Sequence, residues 1–217
     1  MSIGTRRTSL WRGRAAAAAA LAVLTFTQAA PRAAGETTDA DRKALLAHLE
    51  MTQKKFLESI KGLSEAQWKW KSAPDRWSVA EVAEHITVSE STLRGMVTDQ
   101  VMKAPAPPDM LEQTKGKESL ILKAIPDRTR KAQAPEMLQP KNKFPNEAAA
   151  VAAFNDARGQ TIALAKDTGK DLRAFAGPNP ALKELDAYQW LLFISAHTER
   201  HTKQIEEVKA TTGFPSK

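Results

Sequence analysis

The chain has 217 residues, 42% of them hydrophobic, which suits one domain with a substantial core. It contains no cysteine, and this excludes disulfides, thiolate zinc sites and a cysteine nucleophile. The formal charge of +7 is concentrated at one end: residues 1–35 hold Arg6, Arg7, Arg12, Arg14 and Arg32 with no acid, so the remainder carries only +2, and nothing in it points to a nucleic-acid partner.

Residues 1–14 are basic, Ala15–Phe26 is an apolar run, and small residues follow at Gln28-Ala29-Ala30-Pro31. This is the layout of a secretory signal peptide, with cleavage after Ala30 or near Ala34. The run is short for a membrane span, so no stable span is expected in the mature form. Arg6-Arg7 followed by Leu10 and Trp11 hints at a twin-arginine signal, although Ser9 stands where a bulky apolar residue is usual. An uncleaved N-terminal anchor is the alternative. Both readings predict an exported protein, periplasmic or secreted, with 1–35 as signal peptide and 36–217 as the folded domain.

Helix one is expected over Thr38–Lys61, with Leu45, Leu49, Phe56, Leu57 and Ile60 as its apolar stripe, Asp39 or Asp41 as its cap and Gly62 as its stop. Ser64-Glu65-Ala66-Gln67 resembles a single capped turn inside a connection that carries Trp68, Trp70 and Trp77. Helix two is expected over Ser78–Met102. Ser78-Val79-Ala80-Glu81 fits a capping box, and Val79, Val82, Ile86, Leu93, Met96 and Val97 form the buried stripe.

Ala104–Pro145 holds seven of the twelve prolines and many lysines. It is long for a helix connection, so it is expected to be either a lid over a site or a poorly ordered crossover, with a short helix near Ser119–Ile125. Helix three is expected over Asn146–Asp171, with Val151, Phe154, Ile162 and Leu164 as contacts. Gly177-Pro178-Asn179-Pro180 reads as a tight turn. Helix four covers Glu184–Ala210. No strand and no internal repeat is apparent.

Helix four carries the chemistry. His197 and His201 lie four residues apart, which on a helix places them on one face about 5–6 Å apart, close enough to share a metal ion. Trp190, Phe193, Ile194, Ile205 and Val208 share that face, so the pair points inward. Bundles of four helices build metal sites from side chains on facing helices. Of the other two histidines, His85 sits mid-helix beside an apolar stripe and is the better third ligand; His48 is near the start of helix one and reads as structural or exposed. Three neutral imidazoles suit zinc, nickel, copper or iron and leave a position for water. Hydrogen-bonded core or surface histidines are the competing reading. The pair is not the zincin motif, because the acid is Glu199, about 200° around the helix from His197 and so solvated.

Other residues have paired readings. Glu81 is either a hydrogen-bond partner of His85 or simply the capping acid. Arg200 either binds an anionic substrate or forms a salt bridge. Gln204 either touches a metal-bound water or packs in the core. Trp77 and Trp190 pack the bundle or wall a pocket, and Lys115, Lys117 and Lys123 form a solvated face.

Trp77-Ser78-Val79-Ala80-Glu81-Val82-Ala83-Glu84-His85 resembles the W-S-x-x-E-x-x-x-H segment of the DinB/YfiT-like proteins. His197-Thr198-Glu199-Arg200-His201-Thr202-Lys203-Gln204-Ile205 resembles their closing H-x-x-x-H segment, and Leu63–Trp68 fits the same pattern. The resemblance covers roughly Ala40–Ala210. It implies an all-α, DinB-like four-helix bundle with a divalent metal, nickel or zinc, on His85, His197 and His201. It further implies a metal-dependent hydrolase or small-molecule transferase acting through a metal-bound water or thiol, and allows a homodimer. The long crossover and the export signal depart from the small cytosolic pattern, which weakens the thiol reading. A non-catalytic exported bundle that binds metal, a ligand or a partner protein is the alternative.

Overall fold

The computed structural model describes Met1 and residues 36–216. The signal-peptide expectation lies outside the described residues, and among those described no helix is long and apolar enough to cross a membrane.

Among the described residues seven α-helices and one small hairpin follow in order: α1 Asp39–Ile60, α2 Glu65–Lys69, α3 Val79–Asp99, α4 Pro108–Glu112, α5 Glu118–Ala124, α6 Glu147–Asp167, β1 Ala176–Asn179, β2 Lys183–Asp186 and α7 Ala187–Lys209. The long helices α1, α3, α6 and α7 form the expected bundle. α7 packs against α1 and α3, and α6 packs against the same two from the other side.

Capping chemistry sets where the helices begin. Thr38 caps α1: its hydroxyl accepts the Asp41 N–H (2.9 Å) while the Asp41 carboxylate accepts the Thr38 N–H (2.9 Å). The cap is therefore Thr38, not Asp39 or Asp41, and Asp41 is the returning acid. Ser78 and Glu81 form the expected box on α3, and Glu81 also meets Lys71 at 3.0 Å. Asp186 caps α7 with Gln189 as its reciprocal partner. Helix four therefore starts at Ala187 rather than Glu184, because Glu184 belongs to a strand.

That strand corrects the strand-free expectation. β1 and β2 pair antiparallel with Ala176 opposite Asp186 and Asn179 opposite Lys183. The Asn179 side-chain oxygen accepts the N–H groups of Ala181 (2.9 Å) and Leu182 (3.1 Å), and Lys183 takes φ 61° to close the turn. Helices two and three are also shorter than expected. α3 yields to a 3-10 turn at Val101–Lys103, and α6 stops at Asp167 before another at Leu172–Ala174.

The core is divided by a polar layer. On one side Leu45, Leu49, Val97, Trp190, Leu191 and Ile194 pack together. On the other side are Phe56, Ile60, Val82, Ile86, Phe154 and Ile205. Between them on the four helices stand Thr52, Glu90, Arg158 and Thr198. Arg158 is 0% exposed. Its five N–H groups donate to both Glu90 carboxylate oxygens (2.8 and 2.8 Å), the Leu49 carbonyl (2.7 Å), the Thr52 hydroxyl (2.8 Å) and the Thr198 hydroxyl (2.8 Å).

Candidate metal centre

α3 presents His85 and α7 presents His197 and His201 from packed, facing helices. The inward expectation holds: His85 is 2% exposed, His201 8%, and His197 is half-buried. One ligand atom from each of the three lies within 4.8 Å of the others, so the group could hold a metal ion. The His85 and His201 Nε2 atoms are 3.1 Å apart, as are those of His201 and His197. Ligand nitrogens about 2.0–2.1 Å from a tetrahedral zinc would be about 3.3–3.4 Å apart, so the spacing is close to what an ion requires.

The outer hydrogen bonds fix the tautomers. His85 Nδ1 faces the Leu138 carbonyl at 2.8 Å, and a carbonyl only accepts, so Nδ1 carries the proton. His201 Nδ1 faces Gln204 Oε1 at 2.8 Å. Arg128 donates to the same Gln204 atom at 3.2 Å; because arginine cannot accept, that atom is the amide oxygen, and His201 Nδ1 is also protonated. Both Nε2 atoms are then bare lone pairs, facing each other at 3.1 Å in a buried place. A proton on His197 Nε2 can satisfy His201, but it leaves His85 facing an acceptor. The donor set fits a cation.

Electrostatics keep the imidazoles neutral, the form that ligates. Burial holds His85 below its ordinary value, although its bond to Leu138 works the other way. Burial, then the neighbouring His85 and Arg200, pushes His197 down to about 3. Burial and the other two histidines hold His201 well below the usual imidazole range. Trp77 and Phe193 flank the cluster, with ring centroids 5.0 Å from His85 and 6.2 Å from His197.

Glu81 is the capping acid. Gln204 neither packs passively nor awaits a water: it orients His201. Arg200 donates to the backbone carbonyls of Ile125, Asp127 and Arg130 on the crossover rather than to a carboxylate. Trp190 packs in the core and donates to the Gly177 carbonyl at 3.3 Å. Lys117 is not solvated, since its ammonium holds the carbonyls of Leu182 (2.9 Å) and Glu184 (2.7 Å). Glu199 is partly buried beside His48 and Lys203 rather than solvated. His48 is structural, with Nδ1 2.8 Å from the Ser195 hydroxyl. It stays outside the cluster.

Only the later part of residues 104–145 reaches the histidines, as the lid reading expects; α4 packs on the hairpin and α5 on α7. The carbonyl of Leu138, in a 3-10 turn at Glu136–Leu138, reaches His85. Glu84, 2% exposed, accepts the N–H groups of Lys141 (2.7 Å) and Lys143 (2.9 Å). Sequence reasoning did not single out Glu84. Its place between the apolar Ala83 and the inward His85 was the available signal.

A family model described as the DinB superfamily matches residues 48–205, a span that contains all three histidines. The uncharacterised protein YuaE of Bacillus subtilis (strain 168) is 30% identical over 151 residues, covering 69% of this chain and 88% of that relative. No solved structure matches significantly. The chain belongs to the DinB superfamily.

Proposed function

We propose that this DinB-superfamily chain is an exported metal protein in which His85, His197 and His201 hold nickel or zinc with a coordination position left open. One observation carries the reading: two buried Nε2 lone pairs, on His85 and His201, face each other at 3.1 Å because both Nδ1 protons are committed elsewhere. A divalent ion there supplies Lewis acidity and a water of lowered pKa. The chain's own residues orient the ligands through Leu138 and Gln204. They also exclude bulk water with Trp77, Phe193 and the crossover. Hydrolysis or group transfer on a small molecule is the chemistry this suits.

The test is metal content by mass spectrometry on the full-length chain without a His-tag, beside His85→Ala and His197→Ala. Near-stoichiometric metal, lost in both variants, supports the reading and justifies screening hydrolase and thiol-transfer substrates. Protein that stays empty after incubation with nickel or zinc, with variants that melt like the parent, sinks it.

The burial of His85 and His201 favours a second reading, a non-catalytic metal- or ligand-binding bundle. Loaded protein with no turnover in any screen selects it. Export rests on the composition of residues 1–35, and N-terminal sequencing of the mature protein tests it; a homodimer is tested by light scattering.

A further inference from the structure

The outer partners of two of the three histidines come from, or are held by, the crossover rather than the bundle alone. Leu138, which accepts from His85, lies on the crossover. Gln204, which accepts from His201, also receives Arg128 of the crossover, and Arg128 pairs with Glu207 at 2.7 Å. We propose that residues 126–143 form a strap that docks in step with metal binding, with Gln204 as the positioning residue that joins strap to ligand. This rests on the metal reading above.

The way the strap is fastened supports the coupling. The residues that hold it directly precede two of the histidines. Glu84 grips the Lys141 and Lys143 amides one residue before His85. Arg200 grips the Ile125, Asp127 and Arg130 carbonyls one residue before His201. A shift of either helix turn that moves a ligand also moves a fastening. Apolar anchoring is sparse. Pro126 and Leu138 are buried, while Thr129–Gln133 and Pro135–Met137 are exposed. A segment with few buried apolar contacts opens at small cost compared with the bundle core.

When the strap lifts, His85 loses the only acceptor shown for its Nδ1 proton. Gln204 loses the cation that holds its oxygen toward His201. Both ligands are then free to rotate or change tautomer, which weakens their grip on an ion. Coupling of this kind is reciprocal: the factor by which docking strengthens metal binding equals the factor by which metal strengthens docking.

The test pairs zinc affinity, from chelator competition, with the rate of trypsin cleavage after Arg130 and Lys131, both measured on the full-length chain. Strap cleavage reports the open population when reclosing is fast. Zinc is expected to slow cleavage of the parent. Gln204→Met, which removes the acceptor, is expected to weaken zinc about 10- to 100-fold and to lose protection by a similar factor. Gln204→Glu keeps an acceptor for His201 and a partner for Arg128, and is expected to restore both. A merely structural role for Gln204 would not couple the two readouts or be rescued in this way. If the parent binds zinc but its strap cleavage ignores zinc, or Gln204→Met binds within about twofold of the parent, the coupling is overturned while the metal reading stands. A parent that takes up neither zinc nor nickel overturns both.

Discussion

Two buried polar clusters share helices α3 and α7, and they are finished differently. In the layer around Arg158 each of the five guanidinium donors has an acceptor, and both carboxylate oxygens of Glu90 are used. Along α7 from Thr198, His197 and His201 meet His85 with two acceptors pointed at each other. Burying polar groups is costly unless they are paired. The first cluster meets that cost internally, so it holds four helices in register and asks for nothing more. The second meets it only on the Nδ1 side of His85 and His201, and leaves the Nε2 side for a cation. A saturated cluster is structural; a cluster saturated on one side only could hold an ion.

The contrast is broken most severely at Arg158. Arg158→Met leaves the Glu90 charge buried and unpaired and is expected to cost about 3–5 kcal/mol. That corresponds to roughly 6–20 °C in melting temperature, read by calorimetry, whether or not metal is present. The double replacement Arg158→Met with Glu90→Leu is expected to recover much of the loss, because it removes the stranded charge.

The histidine cluster should show the opposite dependence. Stripping metal from the parent is expected to lower stability by about 2.7 kcal/mol relative to protein at a hundredfold excess of ion over Kd. His85→Ala should show no such difference. Paired thermal melts with and without chelator check this, and an equal chelator effect on both proteins would erase the distinction between the clusters.

A third polar cluster responds to acid. Arg173 reaches Asp41 (3.2 Å), Glu118 (2.7 Å) and Asp186 (3.0 Å). Burial opposes ionisation of Asp41, but the Thr38 amide, Arg173 and the Thr38 hydroxyl outweigh it and hold the carboxyl below its usual range. A lowered folded pKa means the unfolded chain binds the proton first. This stability is present above the unfolded value of about 3.8 and is lost as pH falls through the folded value. Asp41→Asn is therefore expected to cost about 0.3–1.5 kcal/mol at pH 7, with the gap to the parent closing in acid. Urea midpoints across pH measure it. Asp186 runs the other way, since burial pushes its carboxyl up to about 6.

The smallest effect belongs to Glu81. Glu81→Gln should leave zinc affinity within about twofold, because the acid caps α3 and does not touch His85. A tenfold loss would place it among the ligand-orienting groups with Leu138 and Gln204.

Much of the bundle and the histidine face was legible because long-period signals carry them. The apolar stripes, the Ser78–Glu81 box and the i, i+4 histidines each depend on one helix alone. What was missed depends on partners far along the chain. Arg158, flanked by Ala157 and Gly159, gives no local signal of its burial, because its partners Glu90 and Leu49 lie far along the chain. Lys117 reads as solvated until the hairpin places two carbonyls at its tip. The hairpin itself has four-residue strands holding Gly177 and Pro178, too short and too irregular for alternation to register. Gln204 was on the correct face, but its role required knowing that Arg128 would arrive from the crossover.

On the proposed reading the Nε2 lone pairs of His85, His197 and His201 converge on one ion. X-ray absorption at the zinc or nickel edge of the loaded full-length protein reads the ligand set itself. Scattering from three imidazoles at about 2.0–2.1 Å, completed by light-atom ligands, is expected, with loss of one imidazole or of the metal in His85→Ala. A loaded protein whose spectrum shows no imidazole scattering, or is unchanged in His85→Ala, would contradict it.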